Sequence, residues 1–321
     1  MTGGGCAAAL GAAVCLAVHL AAQKPGAFHA ETRLVVLHVT VTNGRGELVA
    51  NLDRGAFSVY EDGRSQPITL FRRDDVPISL GLLVDNSGSM RSLRAGVEAA
   101  ALTFVRASNP LDEIFVLNFA DSPRIDVPFT NDLRVLEAGV ARIDSIGGTA
   151  MRDAMLVAER YLRDHAAHDR RALLVITDGR DNASTASRIE LRTIVEQSGA
   201  AIFVVSLVRE SASAKRPRNE DELERLAGLT GGVAHEAASI SDVNRVVLQI
   251  AHRIRSEYTI GYTPANPVLD GSYRAVRVKV SRPRGLTART RPGYRATPLS
   301  LTESTKGTKG TKGTKNTCRL W

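Results

Sequence analysis

From Ile78 onward, short unbroken apolar runs alternate with stretches whose apolar positions recur at helical spacing. Ile78 to Val84 is nearly all apolar, as a central parallel strand covered on both faces must be. Glu113 to Phe119, Ala172 to Thr177, Ala201 to Leu207 and Val233 to Glu236 are further strand candidates, and Arg124 to Val127 reads as a short edge strand. Between them, Leu93, Val97, Ala101, Phe104 and Val105 make one apolar helix face. Met151, Ala154, Met155, Ala158 and Leu162 make another, with the Met pair read as core packing. Glu222 to Ala227 is helical and ends near Gly228. Val243, Val246, Val247, Ile250 and Ile254 form the buried stripe of a last helix, with Ser241 as its expected N-cap. Strand and helix patterns in alternation over residues 78–257 predict an α/β fold: a doubly wound, mostly parallel sheet with helices on both faces.

The flanks have a different period. Residues 31–72 are β-like: Leu34 to Thr42 is rich in β-branched residues and ends at the turn signal Asn43-Gly44, and Phe57 to Tyr60 runs into Glu61-Asp62-Gly63 before Ile68 to Phe71. Residues 258–296 return to this chemistry, with Tyr258 to Tyr262, a turn at Asp270-Gly271, and an alternating Tyr273 to Val280. Each piece offers only a few short strands, which are marginal alone in water. The ends of an α/β domain usually emerge close together, so the two pieces are expected to pair into one small β-sheet or β-sandwich flanking residues 78–257. Val36, Val39, Phe57, Val59, Ile260, Tyr262, Val276 and Val278 are the expected shared core.

Composition narrows the function. With 321 residues, 43% of them hydrophobic, the chain has enough for one large core and a smaller unit. The formal net charge of +8 is uneven, because Lys and Arg crowd the tail. No basic stripe is interleaved with aromatics, which argues against nucleic acid. The three cysteines, Cys6, Cys15 and Cys318, lie in the two terminal segments, so the globular part has neither a disulfide framework nor a cysteine metal site. Residues 1–22 carry an apolar core from Ala7 to Ala22, the length of a signal-peptide core and short for a membrane span. Cleavage is expected after Ala22 or as late as Ala30, which would leave an exported mature chain, periplasmic or extracellular, without a membrane span. Residues 297–321 repeat Thr-Lys-Gly and are expected to be disordered.

The chemistry gathers where apolar runs stop. After Val84 come Asp85, Ser87 and Ser89, oxygen donors at every second position, with Gly88 allowing a tight turn. Gly147-Gly148 precedes Thr149 just before a helical pattern. The run Leu173 to Thr177 ends in Asp178-Gly179. In an open α/β sheet the loops after the strands' carboxyl ends bind ligands, and these donors suit a hard divalent cation such as Mg²⁺.

Asp-x-Ser-x-Ser, a later Thr, and Thr-Asp-Gly in that order resemble the von Willebrand factor type A (VWA) domain, a Rossmann-like fold. The resemblance implies a complete metal-ion-dependent adhesion site at Asp85, Ser87, Ser89, Thr149 and Asp178. It implies Mg²⁺, or Mn²⁺ or Ca²⁺, bound directly by Ser87 and Ser89, with Thr149 direct in one state and the two Asp acting largely through water. The last helix is the one that slides in that family. Its ligand would be a protein presenting Asp or Glu to the metal. The patterns around Phe57 to Ile68 and Tyr258 to Tyr294 also resemble an exported acidobacterial group of VWA-related proteins. Two alternatives stand beside this adhesion-type binding module: a metal-dependent hydrolase and an assembly component of a larger complex. A hydrolase needs a general base, for which Asp153, Asp181 and the histidines are candidates. His165 and His168 sit three apart but in a polar helix end, and no Gly-x-Ser-x-Gly or His-Glu-x-x-His is present.

Overall fold

The computed structural model describes residues 34–73, 75–141, 146–207 and 218–297. The apolar segment 1–22 with its cleavage positions, all three cysteines and the Thr-Lys-Gly repeats lie outside the described residues.

Five parallel strands and one antiparallel edge form the central sheet. In chain order they are β5 (Ser79–Asp85), β6 (Glu113–Phe119), β7 (Pro123–Thr130), β8 (Arg171–Thr177), β9 (Ala201–Leu207) and β10 (Ala234–Ala237). Their spatial order is β10-β9-β8-β5-β6-β7, with β7 antiparallel to β6. The expected short edge strand is therefore longer than Arg124 to Val127. Because side chains alternate across a strand, β5 splits its apolar set. Leu80, Leu82 and Val84 face α1 (Arg94–Ala107), α2 (Leu133–Val140) and α6 (Ile240–Arg255). Leu83 faces α3 (Met151–His165), α4 (Arg188–Gln197) and α5 (Arg218–Thr230). Gly81 shares that second face because Phe115 needs the room: a Cβ there would lie 2.4 Å from the Phe115 ring. Met151, Ala154, Met155, Ala158 and Leu162 are all buried on one face of α3. The fold is thus the α/β class expected from the periodicity, with small antiparallel sheets beside it.

Those small sheets take strands from both ends of the chain. One has the order β13-β1-β11-β4, from β1 (Val35–Thr42), β4 (Ile68–Arg72), β11 (Tyr258–Tyr262) and β13 (Thr287–Arg289). The other has the order β14-β12-β2-β3, from β2 (Phe57–Glu61), β3 (Arg64–Gln66), β12 (Tyr273–Val280) and β14 (Gly293–Arg295). Leu37 pairs with Ile260, and Val59 with Val278. β4, which leads into residues 78–257, pairs directly with β11, which leaves them. The inner faces share one core that includes Leu37, Val39, Val59, Ile260 and Tyr262. Inside it, Glu61 accepts hydrogen bonds from the hydroxyls of Tyr262 (2.7 Å) and Tyr294 (2.8 Å) and lies 3.3 Å from Arg274.

Three local expectations are corrected. Val36 is not core: it is 39% exposed on the outer face, while Val35, Leu37, Val39 and Val41 point inward. Val36 and Val39 differ by an odd number, so a period of two cannot bury both. The N-cap of α6 is Ser239, whose hydroxyl accepts from the Asp242 N–H at 3.2 Å; the Ser241 hydroxyl lies 2.8 Å from the Ser239 hydroxyl. Gly228 lies inside α5 and does not end it.

Candidate functional site

The site starts where β5 runs out. Asp85 is the last residue of a strand buried along its whole length, and its carboxylate folds back so that Oδ1 accepts the Ser87 N–H at 3.0 Å. This Asx turn sends the chain into a short 3₁₀ turn, Gly88–Met90, and brings the hydroxyls of Ser87 and Ser89 to 3.0 Å from each other. The other oxygen, Oδ2, accepts from the Thr177 hydroxyl at 2.6 Å. Burial pushes the Asp85 carboxyl up to about 6; hydrogen bonds from Ser87 and Thr177 oppose that rise, and the nearby Asp178 adds to it.

A glycine pair laces the second loop to the first. The Gly88 N–H donates to the Gly147 carbonyl at 3.1 Å. Gly147 has φ +89, and a Cβ on it would lie 2.2 Å from an Asp121 carboxylate oxygen. A side chain there would be both strained and blocked. Gly148 donates its N–H to Asp121 Oδ1 at 2.6 Å. Thr149 is then clamped on both backbone groups: its N–H donates to Asn182 Oδ1 at 2.7 Å, and its carbonyl accepts from Asn182 and Ala183.

The third loop follows β8. Thr177 and Asp178 are both buried. Asp178 Oδ1 accepts the Arg180 N–H at 3.3 Å, whereas its Oδ2 is buried without a hydrogen-bond partner. Arg180 Nε lies 3.8 Å from that oxygen, on a side chain 57% exposed and so largely screened by water. Two buried carboxylates therefore stand near each other, and Asp85 is hydrogen-bonded by the hydroxyls of Thr177 and Ser87. Buried charge requires compensation, and this donor set fits a hard divalent cation. Among the described residues no group of three or more His, Cys, Asp or Glu clusters as metal ligands, so any cation here would rest on two carboxylates and hydroxyl oxygens.

The candidate bases are occupied elsewhere. Asp153 accepts the N–H groups of Thr185 (2.9 Å) and Ala186 (2.8 Å). Asp181 accepts from the Arg152 N–H (2.9 Å) and the Ser184 hydroxyl (2.8 Å). Both tie the loop after β8 to the start of α3. His165 and His168 belong to the opposite end of the sheet, where the His168 N–H meets the Ser79 hydroxyl at the start of β5. Three residues of the site escaped the sequence reading. Thr177 stood in the Thr-Asp-Gly run without a role. Asp121 and Asn182 carry no spacing signal, since they meet the glycine loop only across the fold.

Parallel strands in this order, with polar loops laced at their carboxyl ends, define a von Willebrand factor type A fold. Residues 80–180 match the family model of the von Willebrand factor type A domain. Solved structures with similar chains include a von Willebrand factor type A protein from Catenulispora acidiphila: 12% identity, 88% of this chain and 78% of that one, TM-score 0.49. An aerotolerance-related membrane protein from Bacteroides fragilis is 19% identical over 55% of this chain and 98% of its own, TM-score 0.45. The von Willebrand factor domain of a type V pili tip protein from Porphyromonas gingivalis is 11% identical over 56% and 97%, TM-score 0.45. No curated protein matches the chain.

Proposed function

We propose that residues 78–257 are a metal-dependent protein-binding module of an exported protein. The supporting observation is the buried Asp178 Oδ2, which accepts no hydrogen bond, beside the buried carboxyl of Asp85. Asp85, Ser87, Ser89, Thr149 and Asp178 would hold Mg²⁺, or Mn²⁺ or Ca²⁺. When bound, the cation supplies a positive charge that attracts an Asp or Glu carboxylate of a partner protein. The chain's own residues do the rest. Thr177 orients Asp85, Asp121 and Asn182 hold the glycine loop, and Asp153 and Asp181 brace the loop after β8. Binding is favoured over hydrolysis because the acids that could serve as a base are committed to backbone N–H groups. Export rests on the apolar segment 1–22; among the described residues no helix is long and apolar enough to cross a membrane.

The test is thermal unfolding with Mg²⁺, Mn²⁺ or Ca²⁺ against EDTA. A cation that binds only the folded chain adds RT ln(1 + [L]/Kd), about 2.7 kcal/mol at a hundredfold excess over Kd. The wild type is expected to gain Tm, and Asp85→Ala and Asp178→Ala to lose that gain while still folding. Equal shifts in all three proteins would refute the assignment. Thr149→Ala is expected to weaken an acidic partner peptide more than the metal. Metal-dependent phosphoester hydrolysis that disappears in Asp85→Ala would favour the hydrolase reading instead.

A further inference from the structure

A cavity of about 500 Å³ lies at the other end of the central sheet, between that end and the outer face of the β13-β1-β11-β4 sheet. Val76 and Pro77, Arg170, and Gly199 line it just ahead of β5, β8 and β9, at the strands' amino ends and so away from the loops described above.

One wall is aliphatic where water-facing polar residues would be the rule. Outward positions on a half-buried antiparallel sheet are ordinarily polar, yet Leu34 is 44% and Val36 39% exposed here, with Leu70 on the same wall. Gly261 lies between two of them: a Cβ on it would fall 2.8 Å from Leu70 Cβ and 3.1 Å from Leu34 Cδ1. Its bare backbone lets those leucines close over β11 into one continuous apolar surface. The facing wall includes the small residues Ala167, Gly199, Ala201 and Gly231, which help to leave the space open.

The charges around the cavity lean positive. Arg72, Arg170 and Arg291 line it against Asp169 and Glu257. Arg170 and Glu257 neutralise each other at 2.7 Å. Arg72 is exposed on the wall that carries Leu70. His38 adds a ring without a charge, because burial lowers it to about 4. Ligand sites typically span about 300–1,000 Å³, favour interfaces between layers, and combine apolar walls with few polar groups.

We propose that this cavity binds a small amphipathic anion, an aliphatic body against Leu34, Val36 and Leu70 with one carboxylate directed to Arg72. The proposal is independent of the metal-site reading.

The test uses octanoate as probe in isothermal titration of the full chain, with octylammonium as the cation of equal chain length. Octanoate is expected to bind saturably at one site per chain, unchanged by EDTA. Val36→Glu and Arg72→Glu, both at exposed positions, are expected to weaken it at least tenfold while keeping the wild-type Tm without probe. Ile189→Glu, exposed on α4 and not lining the cavity, is expected to bind as wild type. Absence of saturable octanoate binding, or wild-type affinity in both Val36→Glu and Arg72→Glu, would overturn the site. Octylammonium binding as tightly as octanoate would overturn the ligand class.

Discussion

A buried ion pair crosses the joint between the α/β layers and the β-sandwich, and its strength can be worked out from geometry. Arg170, just before β8, donates to Glu257 Oε2 at 2.7 Å, and both side chains are only 6% exposed. The guanidinium also donates to the carbonyl of Ile254, near the end of α6, and Glu257 Oε1 lies 3.4 Å from the Thr40 hydroxyl on β1. Removing either partner strands the other charge in a low-dielectric setting, which costs about 3–5 kcal/mol. Removing both, as Arg170→Met with Glu257→Leu, removes the desolvation penalty along with the attraction, and such replacements are often close to neutral. The expected result is two damaging single variants and a double variant far better than their sum. Urea unfolding at constant m-value measures all three, and because the pair is buried the coupling is expected to persist at high salt. A double variant whose loss equals the sum of the singles within about 0.5 kcal/mol would show independent residues and refute the reasoning.

Three other outcomes are expected. Burial raises the Glu159 carboxyl to about 7, against an ordinary value of 4.5, with the Ser198 hydroxyl at 2.6 Å opposing the rise. The folded state thus keeps its proton while the unfolded state has lost it, and stability falls as pH climbs through that window. Glu159→Gln is expected to gain on wild type between pH 5 and pH 8, by at most about 3 kcal/mol, and a pH-independent difference in urea midpoints would contradict this. Tyr262→Phe removes a donor from the buried Glu61 carboxylate and is expected to cost about 1.5–3 kcal/mol in chemical unfolding; no loss would show that Tyr294 and Arg274 suffice. Gly147→Ala meets both a φ of +89 and the Asp121 carboxylate. It is expected to destabilise by about 1–3 kcal/mol and to weaken Mg²⁺ more than a Gly199→Ala control, whose Cβ meets nothing within 4 Å.

Periodicity alone determined the fold class. Long apolar runs read as buried strands, and the α3 face read correctly because five apolar positions at helical spacing leave no other solution. α4 was not legible: its buried apolar residues are Leu191 and Val195, set among charges too dense to give a stripe. α2 is eight residues long and begins with half-exposed Leu133 and Val135. The five residues proposed to hold the cation could be named from sequence because each follows an apolar run or a glycine pair. Their mutual bracing could not. Asp121 and Asn182 reach the glycine loop from other strand ends, and hydrogen bonds between remote loops leave no mark in local composition. The same holds for the sandwich. That its strands exist follows from alternation, but which face of β1 turns inward was decided by the pairing of Leu37 with Ile260 and the packing behind it. The outward Leu34 and Val36 look like core residues in sequence, and only the tertiary structure, by placing them over a cavity, separates the two kinds of apolar surface.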